Sequence, residues 1–345
     1  MRQRLRRPLT LSLGLALLLS LNLHAPSSSS AATPGMYIAL GDSIAAGIGS
    51  SLPRTRGNAA IIANWLERLS GETVPYENLA VPGETAATFI EGGQLQRFRD
   101  SIAQSQAAEV PLAAVTVTLG GNELLGLRAT ALSDRQAGLD DFTGQYAVAL
   151  GAIRDEVGPD TPLVVTTYYD LTEGDATIQF SDAWWIEQFN AVIRRVAGEQ
   201  DARIADVATL FEGRISEFTY DPYDVHPSNA GHLAIAQSIW TALQLDDRPP
   251  SVNVLAHTDA IRSTPTVQFS VDDNVNVRSV GVRSDDITIR GPYETGENHY
   301  AVLLDLTSTD SDEVALTIEI SDDAGNVTRE VVTIQADDMR GDEST

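Results

Sequence analysis

The chain contains no cysteine and no lysine. Without cysteine there is no thiol to carry a lipoprotein anchor and no disulfide to staple the fold, so stability has to come from packing. All 23 basic residues are arginine, against 48 acidic ones. Removing the four arginines of the first seven residues gives a net charge of 19 − 48 = −29 for the remainder. Such a surface repels phosphate backbones and anionic headgroups, which argues against nucleic-acid and membrane-surface partners. It favours solubility and suits a salty medium that screens self-repulsion, although genome composition bias explains the missing lysine equally well. Long apolar runs are also lacking, with one exception at the start. Arg2, Arg4, Arg6 and Arg7 precede an apolar stretch from Leu9 to Leu23, too short to read as a spanning helix. Small residues follow, with cleavage options after Ala25 or Ala32, the second fitting better. Residues 1–32 are therefore read as a secretory signal peptide, and an uncleaved anchor is the competing reading.

At 345 residues the chain has room for two domains. From 36 to 245, strand-like runs at 36–41, 74–80, 113–119, 162–168 and 202–207 alternate with helix-like ones, which predicts a mostly parallel sheet. Four apolar stripes at helical spacing are assigned to the core. They are Ile62, Trp65, Leu66, Leu69; then Phe142, Tyr146, Leu150, Ile153; then Trp185, Phe189, Ile193, Val196; then Leu233, Ala236, Trp240, Leu243. Gly71 and Gly158-Pro159 mark helix ends, and Ser228 an N-cap. Trp184 is off phase and borders a pocket or simply faces solvent. Beyond Arg248-Pro249-Pro250-Ser251 the pattern changes to alternation (Val267, Phe269, Val271; Leu316, Ile318, Ile320) broken by Asp-, Asn- and Gly-rich turns, the signature of a small all-β sandwich. The expected division is 33–248, an α/β domain; 249–336, the β module; and 337–345, a disordered tail. A chain stopping at Arg248 is expected to fold. The acidic turns lack the spacing of a defined calcium loop and read as solvated turns. The sequon at Asn326 and the Arg340-Gly341-Asp342 tripeptide carry no weight.

Four short segments carry chemistry. Tyr37-Ile38-Ala39-Leu40-Gly41-Asp42-Ser43 sets a serine hydroxyl at the end of a buried strand, where open α/β sheets keep their ligand crevice. The competing role for Ser43 is to cap the following helix. Asn78-Leu79-Ala80-Val81-Pro82-Gly83 puts a glycine past a second strand, and Val115 to Glu123 ends a third in Gly120-Gly121-Asn122. Asp221-Pro222-Tyr223-Asp224-Val225-His226 delivers a histidine near the end of the domain. A serine needs a base, and the only other histidine of this region, His232, falls inside a helix, as a surface or packing residue would.

In order and residue type these blocks resemble the SGNH, or GDSL-type, hydrolases, over roughly residues 36 to 245. The resemblance implies a three-layer α/β/α sandwich with a five-stranded parallel sheet of flavodoxin-like type. It implies a serine esterase or lipase with Ser43 as nucleophile and His226 as base. The oxyanion donors carried over are the backbone N–H of Ser43 and of Gly83 and the side chain of Asn122. No cofactor or metal is implied. The family usually has an aspartate three residues before the histidine, where this chain has Tyr223. Asp224, brought round by a local bulge, is the favoured partner of His226; Asp221 is second, and a backbone carbonyl third. Glu123 stands where many relatives carry aspartate. The β module resembles bacterial immunoglobulin-like modules of secreted enzymes. The expected substrate is a lipid ester or an acylated polymer, and the module is expected to contact a cell surface or polysaccharide. A binding protein that kept the fold and lost turnover is the rival reading.

Overall fold

The computed structural model describes residues 35–258 and 265–336; residues 1–32, read above as a signal peptide, and 337–345, read as a disordered tail, lie outside the described residues. Five strands, β1 (Met36–Gly41), β2 (Tyr76–Asn78), β3 (Leu112–Thr118), β4 (Leu163–Thr166) and β5 (Arg203–Ala205), form one parallel sheet in the order β2-β1-β3-β4-β5. Each lies within or beside one of the apolar runs, because a strand covered on both faces reads as continuous hydrophobicity. Every residue of β1 is buried. The chain moves from β1 to one side of the sheet and then returns to the other, so the crevice at the carboxyl ends of β1 and β3 is the switch point where such sheets bind ligands.

The helix Asn58–Ser70 packs on Asn229–Leu243, which also covers β4 and β5. Leu132–Val157 packs between Ala86–Glu91, Gln94–Ala107 and Asp182–Glu199 to make the second helical layer. Gly71 ends its helix in the left-handed conformation at φ 71°, and the Ser228 hydroxyl accepts the Gly231 N–H at 3.3 Å. The first three stripes are buried, Leu69 partly. In the fourth, Ala236, Trp240 and Leu243 are buried, but Leu233 is exposed and its place inside is taken by His232, Ile235 and Ile239.

A short hairpin, β6 (Thr219–Tyr220) with β7 (Asp224–Pro227), precedes the last helix. The C-terminal region has two antiparallel sheets. One is β10 (Val277–Arg283), β13 (Glu313–Asp322) and β14 (Val327–Gln335); the other joins β11 (Thr288–Gly296), β12 (His299–Asp305), β9 (Thr266–Asp272) and β8 (Ser251–Thr258). Alternate residues Val267, Phe269, Val271, Leu316, Ile318 and Ile320 fill the space between them.

This module touches the α/β domain through the turns after β9 and β13. Val275 is buried within the α/β core, and its carbonyl accepts the Arg68 Nη1–H at 2.9 Å. Gln237 Nε2 donates to Asp323 Oδ1 at 2.7 Å. One buried valine contributes about 2 kcal/mol and each hydrogen bond about 1 kcal/mol. A chain ending at Arg248 is therefore expected to melt about 5–15 °C below the full chain in scanning calorimetry. An unchanged Tm would mean that the contacts add nothing to the stability of the α/β domain.

Candidate active site

Gly41 ends β1 with φ 124°, and a Cβ there would lie 1.9 Å from the Thr118 carbonyl oxygen. Only glycine lets the chain turn this sharply against β3. The next residue holds the turn: Asp42 N–H donates to Thr118 O at 2.9 Å, and its Oδ1 accepts the Ile44 N–H at 2.9 Å. Its Oδ2 accepts the Tyr168 hydroxyl at 2.6 Å. Burial raises the Asp42 carboxyl to about 6, against the lowering pull of the Tyr168 and Ile44 hydrogen bonds. Ser43, half-buried, therefore sits on a short braced turn. It caps no helix, since the next one begins only at Pro53.

Behind the turn, fully buried Gln94 closes the strand end. Its Oε1 accepts Gly41 N–H at 2.7 Å, and its Nε2 donates to Gly41 O at 3.0 Å and to Glu84 Oε2 at 2.7 Å. Gly83 lies in the loop after β2 with φ 86°. Asn122 opens the helix Gly121–Leu127 after β3, and its Nδ2 donates to Glu84 O at 2.8 Å. An amide nitrogen carries two hydrogens, so this bond orients the group and leaves the second for a ligand. Glu123 Oε1 accepts the Ala86 N–H at 2.6 Å, which anchors the helix after the Gly83 loop. Burial holds the Glu123 carboxyl above its ordinary range.

His226 comes from the hairpin. Thr219 pairs with Pro227 and Tyr220 with Asp224, so Val225 and His226 bulge out unmatched. The Tyr169 hydroxyl, just past β4, donates to Val225 O at 2.5 Å and holds the bulge. Asp224 Oδ1 accepts both the His226 backbone N–H at 3.2 Å and ring Nδ1–H at 2.6 Å. With Nδ1 protonated, Nε2 is the acceptor, and it stands 2.8 Å from Ser43 Oγ. Ser43, His226 and Asp224 thus form one hydrogen-bonded chain. Asp221 stands outside it, with its backbone N–H on Thr219 Oγ1 at 3.1 Å, and Tyr223 is 94% exposed. His232 has a different place: fully buried, its ring lies 2.9 Å from Ile48 O through Nε2, and its Nδ1 accepts Asn58 N–H at 3.4 Å. Burial lowers it to about 4, so it is a neutral brace under the Ser43 turn.

A cavity of about 340 Å³ opens at Ser43. Gly83, Asn122 and His226 border it beside the serine, and Leu124, Leu125, Leu127, Leu171, Trp185, Ile186 and Phe189 make the rest largely apolar. Trp185 and Phe189 belong to a stripe assigned to the core alone, and they serve both places. Trp184 lies outside this lining, edge-on to Trp185 and Phe180. Sequence reasoning also passed over Asp42, Gln94 and Tyr168. For Tyr168 the signal was its place at the carboxyl end of β4, on the same lip as Ser43.

Among solved structures, the lipase Lip_vut3 from a goat rumen metagenome is 21% identical, covering 60% of this chain and 97% of its own, with a TM-score of 0.47. Axe2, an acetylxylan esterase from Geobacillus stearothermophilus, is 19% identical over 62% of this chain and 98% of its own, with a TM-score of 0.48. No curated protein matches the chain. No helix among the described residues is long and apolar enough to cross a membrane. The sequence model of the GDSL-like lipase/acylhydrolase family matches residues 39–234, more than half of the chain and all four of the blocks that border the cavity, so the chain belongs to that family and is an ester-bond hydrolase.

Proposed function

We propose that the protein is a secreted serine esterase that works through an acyl-enzyme. The observation that carries this is the 2.8 Å approach of His226 Nε2 to Ser43 Oγ, with Nδ1 held by Asp224. Ser43 Oγ attacks the ester carbonyl while its proton passes to Nε2. The resulting oxyanion takes hydrogen bonds from the backbone N–H of Ser43 and of Gly83 and from Asn122 Nδ2. Collapse expels the alcohol, which takes the proton from Nε2. A water then gives its proton to Nε2 and attacks the acyl carbonyl, and collapse breaks the bond to Ser43 Oγ, which takes the proton back from Nε2 as the acid leaves.

The apolar cavity supports an acyl group of several carbons in preference to acetate. On p-nitrophenyl esters, kcat/KM is expected to rise several-fold from acetate to hexanoate. A preference for acetate would favour deacetylation of an extracellular polymer, with the β module as its anchor. Secretion rests on the N-terminal charge and apolar pattern, and the N-terminus of protein recovered from the medium tests it.

Asn122→Ala is expected to lower kcat by about 10²–10³ with a smaller change in KM, since its free amide hydrogen would act on the developing oxyanion. A change in KM alone would make Asn122 a ground-state binding residue.

A further inference from the structure

Where the β module meets the α/β domain, three aspartates converge from separate segments. Asp246 follows the last helix, Asp273 lies in the turn after β9, and Asp322 ends β13. One carboxylate oxygen from each lies within 4.8 Å of the others. Asp246 is 6% exposed and Asp322 fully buried. The oxygens of Asp322 both accept hydrogen bonds from Asn326, its N–H and its Nδ2 at 2.8 Å each. Those of the other two are divided. Asp246 Oδ1 accepts from Asn274 Nδ2 at 3.0 Å and from Arg248 N–H at 3.2 Å, while its Oδ2 is buried with no partner. Asp273 Oδ1 accepts the N–H groups of Val275 and Asn276 at 2.8 and 2.7 Å, and its Oδ2 is likewise buried and unpartnered.

Three carboxylates held this close by neutral donors repel one another, and none of them enters an ion pair with an arginine among the described residues. Two orphaned buried oxygens beside a third carboxylate are what a hard cation with oxygen ligands satisfies. Calcium accepts oxygen ligands at about 2.4 Å in flexible geometry, whereas magnesium demands near-ideal octahedral geometry and gives up its waters reluctantly, so a buried set of carboxylates already fixed by other hydrogen bonds suits calcium better.

From this geometry we infer that Asp246, Asp273 and Asp322 form a calcium site that clamps the β module to the α/β domain. The turn that supplies Asp273 also carries Val275 into the α/β core and presents its carbonyl to Arg68. An ion there ties the segment leaving the last helix to that turn and to the β10–β13–β14 sheet. It lies on elements that do not border the Ser43 cavity, and the inference is independent of the reading of that cavity.

The test uses the full chain stripped with EGTA in about 0.15 M NaCl, titrated calorimetrically with CaCl2 and with MgCl2 and then melted. The expected result is one saturable calcium site of about 10⁻⁴–10⁻³ M, weaker magnesium binding, and a Tm higher by about 5 °C in excess calcium. Asp273→Asn keeps the oxygen that accepts from Val275 and Asn276 and removes one charge. It is expected to abolish the calcium increment while melting above the unsubstituted chain in EGTA, which a merely structural aspartate would not do. Asp246→Asn should also abolish the increment, and exposed Asp310→Asn should keep it, separating the site from diffuse attraction to an acidic surface. Absence of saturable uptake, or a calcium increment surviving in both Asp273→Asn and Asp246→Asn, would overturn the assignment.

Discussion

Ser43→Ala is expected to lower kcat on a short-chain p-nitrophenyl ester by about 10⁵–10⁶ and to move Tm by no more than a degree or two. The serine side chain makes one hydrogen bond, to His226 Nε2, and the turn beneath it is held by other groups. These are Asp42, Tyr168, Gln94 and His232, so loss of Oγ removes the nucleophile and leaves its platform standing. His226→Ala is expected to cost about as much, because a serine without a base is the same broken unit as a base without a serine. A phosphonate that reacts with activated serines should label Ser43 alone in the unsubstituted chain and nothing in either variant, as peptide mass spectrometry can check. Turnover within tenfold of the unsubstituted chain in Ser43→Ala would sink the acyl-enzyme reading.

The parallel sheet was readable because strands buried on both faces leave unbroken apolar runs, and the residues that border the crevice follow those runs directly. Ser43, Gly83 and Asn122 each come within a few residues of the end of β1, β2 or β3. What brings distant segments together was not readable. Nothing local in the sequence says that the Tyr168 hydroxyl meets Asp42, 126 positions away, or that the Gln94 amide binds both the N–H and the carbonyl of Gly41. Trp185 and Phe189 illustrate a different limit, since an apolar stripe has one periodicity whether it faces core or cavity. The three aspartates at the module junction show a third. Asp273 and Asp322 lie in acidic turns that read locally as solvated, and only the tertiary fold brings them to Asp246 and leaves an oxygen of Asp246 and of Asp273 buried without a partner.

Asp224→Asn is expected to lower kcat by about 10³–10⁴, Asp221→Asn by less than twofold. The asymmetry follows from the bulge. In Asp224 a single oxygen accepts both the backbone N–H and the ring Nδ1–H of His226, which fixes the loop, the ring plane and the tautomer together. An asparagine there can turn its amide N–H toward Nδ1, which moves the ring proton to Nε2 and points a donor at the serine. The pH dependence gives a second reading. Burial pushes the Asp224 carboxyl up, but its hydrogen bonds to the His226 ring and backbone outweigh that and hold it below the ordinary carboxylate range. A depressed value means that the ionised form, and any stability it brings, is present above the unfolded value near 3.9 and is lost only as pH falls through the lower folded one. Asp224 should therefore stay ionised from pH 8 to pH 5, and no carboxylate titration should appear in the kcat/KM profile of the unsubstituted chain over that range. A second ionisation near pH 5 in that profile would show that the carboxylate protonates in its ordinary range or above. A larger loss in Asp221→Asn than in Asp224→Asn would transfer the orienting role to Asp221. If neither substitution matters, a backbone carbonyl orients the imidazole.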